Sequence, residues 1–196
     1  MQPMTTTQPV PSDAIWTIPN LLTFLRLAML PVYLWVGLDT PPRLGWAVVI
    51  GTLMLVTDLA DGAIARKTGA ITKLGIRLDP LADRLSFVVA IIVILVHELA
   101  WPWLVWVILI RDALLVVVGV IALKITHREI PPVSWLGKRA SFFVTVGLGS
   151  MIIAGAVGTP QDPNEPIQIA AYVVLLPAVV AYLFSAAGYV RAAVHR

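Results

Sequence analysis

The chain has 196 residues, 59% of them hydrophobic and 13% charged, with a formal net charge of +3 and no cysteine. Soluble domains are nearer half apolar and a quarter charged, so this balance, with a mean hydropathy of +0.88, describes an integral membrane protein without room for a sizeable extra soluble domain. It excludes disulfides, thiolate metal sites and cysteine nucleophiles, and so small a net charge gives no argument for a nucleic-acid partner.

Residues 1–14 are polar and Pro-containing and read as a disordered tail. They carry no Lys or Arg, so they do not read as a signal peptide, and the first apolar run is expected to be a retained helix. Runs of the roughly 20 residues needed to cross a bilayer fall at 19–38, 44–65, 79–99, 101–123, 140–158 and 168–190. The expectation is an all-α membrane domain over 15–196, with six transmembrane helices and short connections. Gly75 and Pro80 read as framing the turn into the third helix. Trp16, Trp101, Trp103 and Trp135 fall near helix ends, as interfacial aromatic residues do.

Basic residues set the expected orientation. Arg66, Lys67, Lys73 and Arg77 follow the second run, Lys124, Arg128, Lys138 and Arg139 the fourth, and Arg191 and Arg196 the last. The opposite side carries Arg43 among Asp39, Glu98, Asp162 and Glu165. Both termini are therefore expected in the cytoplasm, in a multi-pass protein of the cell membrane.

The informative segment is Asp58-Leu-Ala-Asp61-Gly62-Ala-Ile-Ala65-Arg66, followed by Gly75, Asp79 and Asp83. Ionised groups at membrane depth are costly and are seldom kept without a function or a partner. On helices, Asp58 and Asp61 share one face, as do Asp79 and Asp83. Two such faces make an all-oxygen cluster suited to a hard divalent cation, Mg²⁺ or Mn²⁺. Gly62 lets a phosphate or ribose approach the backbone, and Arg66 offers a forked donor set to phosphate oxygens. The plainer alternative is that the aspartates only offset Arg66, Lys67, Arg77 and Arg84 at the membrane boundary; four carboxylates at helical spacing argue against it. The pattern reads as a phosphoryl-transfer site built into a membrane.

The run Asp58-x₂-Asp61-Gly62-x₂-Ala65-Arg66-x₈-Gly75-x₃-Asp79-x₃-Asp83 resembles the full signature of the CDP-alcohol phosphotransferase family. Members transfer a phosphatidyl or similar unit from a CDP-linked donor to an acceptor hydroxyl and release CMP. The resemblance implies that Asp58, Asp61 and Asp79 ligate the metal, with Asp83 as general base and further ligand. It implies that Asn20, Gly62, Arg66, Thr72 and Gly75 lie against the CDP moiety, and that the protein is a homodimer.

Ile18-Pro19-Asn20-Leu-Leu-Thr23 and Leu78-Asp79-Pro80-Leu-Ala-Asp83 resemble the branches that use CDP-diacylglycerol. Their acceptors are phosphatidylglycerol, as in cardiolipin synthases, or glycerol 3-phosphate, as in phosphatidylglycerophosphate synthases. The latter usually have Arg-Glu where this chain has Arg111-Asp112, with a second arginine about two turns on that is missing between Leu114 and Ala122. A dianionic phosphate wants that extra cation more than a phosphodiester does, so phosphatidylglycerol is the preferred acceptor and glycerol 3-phosphate the alternative. Arg111, Lys138 and Arg139 are the candidate acceptor-binding residues. Arg111 and Asp112 can equally form an internal ion pair locking the fourth helix to a neighbour, and Lys138 and Arg139 can serve as membrane anchors. Arg26 either snorkels or answers the carboxylates.

His97, His127 and His195 are scattered, which excludes a histidine-based zinc site, and no Gly-x-Ser-x-Gly, Walker or His-x-Lys motif is present. The rival from another class is a cation- or proton-coupled transporter. Its charges would spread along a path to the midplane, whereas here they cluster at the ends of two consecutive helices.

Overall fold

The structure, a computed structural model, describes residues 12–68, 72–126 and 135–194. Most of the expected tail, together with Arg128, His127, His195 and Arg196, lies outside the described residues. Six helices follow in order: α1 (Ile18–Leu38), α2 (Leu44–Thr68), α3 (Lys73–Val96), α4 (Pro102–Thr126), α5 (Trp135–Val157) and α6 (Glu165–Val194). The chain divides into two compact units, Met1–Val89 and Ala90–Arg196, with the boundary inside α3.

Among the described residues, four stretches are long and apolar enough to cross a membrane: Ile18–Leu38, Leu44–Ala65, Trp135–Val157 and Glu165–Ala187. Buried polar side chains sit beside an apolar core, while large apolar side chains cover much of the surface. Asn20, Thr23, Arg26, Asp61, Thr72 and Arg111 are buried, while Trp35, Leu59, Val173 and Phe184 are exposed. Outward apolar side chains over inward polar ones are what a hydrocarbon solvent selects.

In the first unit α1 packs along α2. Thr17 caps α1, its hydroxyl accepting from the Asn20 N–H at 3.5 Å, and Pro19 sits in the first turn, where a missing N–H costs nothing. The buried face of α1 runs through Asn20, Thr23 and Arg26 and then turns apolar at Leu30, Tyr33 and Val36. One stripe of one helix thus supplies both a polar site and a core.

The start of α3 departs from the sequence reading. Gly75 and Pro80 do not frame a turn; both lie inside the helix, which begins at Lys73. Thr72 caps it: its hydroxyl accepts from the Gly75 N–H at 2.8 Å, and its carbonyl accepts from the Ile76 N–H at 3.1 Å. Pro80 removes one helix hydrogen bond without ending α3. Ser12 and Asp13, at the end of the expected tail, bind this same turn. Ser12 pairs with Thr72 as an isolated bridge, and Asp13 lies 3.0 Å from the Lys73 ammonium.

In the second unit α6 packs against α5 and α4. The buried face of α5 is rich in small residues: Gly137, Ala140, Gly147, Ala154 and Gly155. A Cβ at Gly147 would stand 3.0 Å from the Leu175 Cβ and 3.3 Å from its Cα, so glycine here sets the α5–α6 separation, as small residues do between membrane helices. Gly147→Val is expected to cost about 1–3 kcal/mol through overpacking, read as a lower melting temperature in detergent. Trp101 stacks on Tyr172 at 4.2 Å, and the Trp101 backbone N–H donates to the Tyr172 hydroxyl at 3.0 Å.

Candidate active site

Three helices of the first unit each contribute a pair of residues one turn apart: Thr23 and Arg26 from α1, Asp58 and Asp61 from α2, Asp79 and Asp83 from α3. The pairs meet. Arg26 Nη2 lies 2.6 Å from Asp58 Oδ1 and 2.5 Å from Asp61 Oδ2, and Nη1 donates to Asp83 Oδ1 at 2.8 Å. The Thr23 hydroxyl lies 2.9 Å from Asp79 Oδ1 and 3.5 Å from Asp61 Oδ2. One guanidinium and one hydroxyl from α1 therefore gather all four carboxylates.

The site has a floor and a rim. Arg26 and Asp61 are buried, with side-chain exposures of 2% and 7%, whereas Asp58 and Asp83 are open at 38% and 58%. A guanidinium so deeply buried is tolerable only because several anions answer it. Asp58 and Asp83 stand where a molecule arriving from outside meets the site first.

The chemistry of the donor set fits a hard divalent cation: four carboxylates from two helices, with no nitrogen or sulfur ligand, around a position that already attracts positive charge. Among the described residues, no group of three or more His, Cys, Asp or Glu side chains is arranged to hold a metal ion as it stands. The shared position holds the Arg26 guanidinium.

Beside the carboxylates lies a second network. The Thr72 hydroxyl donates to Asn20 Oδ1 at 2.9 Å while accepting from Gly75, and Asn20 Nδ2 donates to the Ile15 carbonyl at 2.8 Å. Three residues assigned to the donor pocket thus bind one another and join the start of α1 to the start of α3. Gly75 makes this possible, since a Cβ there would stand 2.9 Å from Asn20 Oδ1 and 3.0 Å from Thr72 Oγ1. Gly75→Ala is expected to destabilise the protein by about 1–3 kcal/mol and to lower turnover with it; thermal unfolding beside a CMP-release assay checks both. Gly62 follows Asp61 on α2 and is half-buried, and Arg66 lies near the end of α2.

The acceptor-side candidates lie in the second unit. Arg111 is buried and shares the lining of a surface pocket with Val107, Ile110, Leu114 and Leu183. It pairs with Asp112 at 2.9 Å, donates to the Ser185 hydroxyl at 3.1 Å and stacks 3.5 Å over the Tyr182 ring. Tyr182 in turn donates to Asp112 at 2.5 Å. This is the internal ion pair expected as the alternative for Arg111, and it ties α4 to α6. Lys138 and Arg139 are exposed in the first turn of α5, with the Arg139 guanidinium 3.2 Å over the Trp135 ring. The sequence reading left Arg26 undecided between two roles and missed Tyr182 and Ser185, which lie some 70 residues from their partners.

Buried charge gathered from α1, α2 and α3, in a chain with four helices long and apolar enough to cross a membrane, marks this cluster as the candidate active site. The sequence profile of the CDP-alcohol phosphatidyltransferase family matches residues 16–191, and the chain belongs to that family. It is accordingly a transferase of phospholipid biosynthesis, which sets the transporter alternative aside. The chain is similar to the cardiolipin synthase (CMP-forming) of Streptomyces coelicolor, with 37% identity over 76% of this chain and 71% of the relative. It is similar to a "Probable phosphatidylglycerophosphate synthase" of Mycobacterium tuberculosis, with 31% identity over 91% and 82%. It also resembles the CDP-diacylglycerol–glycerol-3-phosphate 3-phosphatidyltransferase of Yersinia enterocolitica, with 28% identity over 90% and 94%.

Proposed function

We propose that this protein transfers a phosphatidyl group from CDP-diacylglycerol to a glycerol-type hydroxyl with release of CMP, and that its preferred acceptor is phosphatidylglycerol. The observation that carries the reading is the convergence of Asp58, Asp61 and Asp83 on the buried Arg26 guanidinium, with Asp79 held beside them by Thr23 and Asp83 at the open rim.

Asp83 takes the proton of the acceptor hydroxyl, whose oxygen attacks the lipid-side phosphorus; the bond from that phosphorus to the CMP oxygen breaks and CMP leaves. Asp58, Asp61 and Asp79, with Asp83, would hold Mg²⁺ or Mn²⁺, which when bound neutralises charge on the phosphate oxygens. Arg66 and Gly62 receive the CDP phosphates, while Asn20, Thr72 and Gly75 shape that pocket through their mutual hydrogen bonds. Lys138 and Arg139, exposed at the start of α5, supply positive charge to the acceptor phosphate. Arg111, occupied by Asp112 and Ser185, acts on the acceptor side by holding α4 to α6.

All six helices cross the cell membrane in this reading, with both termini and the aspartates on the cytoplasmic side, as the distribution of basic residues supports. The expected assembly is a homodimer, checked by mass measurement in nanodiscs. Chelation with EDTA is expected to stop CMP release and added Mg²⁺ or Mn²⁺ to restore it; activity indifferent to EDTA would remove the metal from the account. Glycerol 3-phosphate is the second reading, favoured by relatives named probable phosphatidylglycerophosphate synthase and CDP-diacylglycerol–glycerol-3-phosphate 3-phosphatidyltransferase that align over nine-tenths of this chain.

A further inference from the structure

The residue least explained by the proposed reaction is Arg26. Its Nη2 bridges Asp58 and Asp61, its Nη1 holds Asp83, and the side chain is only 2% exposed. A divalent cation of the Mg²⁺ type sits about 2.0–2.1 Å from its carboxylate oxygens. A guanidinium nitrogen 2.6 and 2.5 Å from Asp58 Oδ1 and Asp61 Oδ2 competes with such an ion for the negative charge of the same two carboxylates. The seat of Arg26 is also incomplete, because its Nε is buried without a hydrogen-bond partner. One donor of this buried guanidinium is thus left unsatisfied while its two terminal nitrogens meet three carboxylates.

We infer that Arg26 is the resident counter-cation of the carboxylate site, and that it leaves its bridge between Asp58 and Asp61 when a divalent cation enters. This rests on the reading that these aspartates hold a metal. Arg26 holds Asp58, Asp61 and Asp83 together, and Thr23 holds Asp79 beside them. The presence of Arg26 weakens the apparent metal affinity, since only the fraction with Arg26 displaced is competent to bind.

The test is Mn²⁺ binding to the full-length protein in nanodiscs, read by electron paramagnetic resonance of free Mn²⁺, with thermal unfolding alongside. Arg26→Met is expected to melt lower than the unaltered protein without metal and to bind Mn²⁺ about tenfold more tightly or better. Unchanged or weaker binding by Arg26→Met would overturn the inference, because a purely structural arginine loosens the site when removed. If neither protein binds Mn²⁺, the metal reading itself fails, and this inference with it. A structure of the unaltered protein soaked in Mn²⁺ decides the matter without any variant. An anomalous peak among the aspartates with Arg26 Nη2 withdrawn from Asp58 and Asp61 supports displacement; a peak with the bridge intact refutes it.

Discussion

Asp83→Asn is expected to lower turnover by about 10²–10⁴-fold, the usual contribution of a positioned general base, while the protein stays folded and binds the CDP-linked donor. The separation of effects follows from geometry. Asp83 is the most open of the three aspartates that Arg26 contacts, and its tie to the fold is the Nη1–Oδ1 bond of 2.8 Å. The asparagine carbonyl oxygen can accept that same bond, so this tie of α1 to α3 persists. What disappears is a basic oxygen able to take a proton. CMP release by the variant, set beside its melting temperature and its donor affinity, checks all three parts. Retained turnover would take the base assignment away from Asp83.

Asp61→Ala should behave differently, because Asp61 is on the floor. Its carboxylate is 7% exposed and faces an arginine that is 2% exposed. Truncating one partner of a buried charge pair strands the other, at a typical cost of about 3–5 kcal/mol. Asp58 and Asp83 still touch Arg26 from the rim, so the loss is expected toward the lower end of that range. The variant should lose turnover and also unfold at clearly lower temperature, a combination that Asp83→Asn does not show. Thermal unfolding of the two variants side by side separates a floor residue from a rim residue. Equal melting temperatures would show that Arg26 does not depend on Asp61.

Much of this was legible in the sequence, for local reasons. Apolar runs of membrane length are set by composition, and each of the six overlaps a helix, four of which hold a stretch long and apolar enough to cross a membrane. The aspartate pairs were legible because helical periodicity alone places Asp58 with Asp61 and Asp79 with Asp83 on common faces. The start of α3 was not, because glycine and proline read as punctuation. The structure shows Thr72 capping the helix ahead of them, with Gly75 small enough to sit under Asn20. Arg26 and Thr23 were harder still. Nothing within α1 says that its polar stripe faces carboxylates 35 and 56 residues away. The same holds for Arg111, whose partners Tyr182 and Ser185 come from α6. Local chemistry names the groups; only tertiary packing says which of them meet.

The most direct test of the account offers purified protein in nanodiscs CDP-diacylglycerol and Mg²⁺, with phosphatidylglycerol and glycerol 3-phosphate supplied separately. CMP and the lipid products are followed together. The account predicts CMP release and cardiolipin with phosphatidylglycerol. Phosphatidylglycerophosphate formed from glycerol 3-phosphate alone would contradict the acceptor assignment while keeping the chemistry, and no CMP release with either acceptor would contradict the proposed reaction itself.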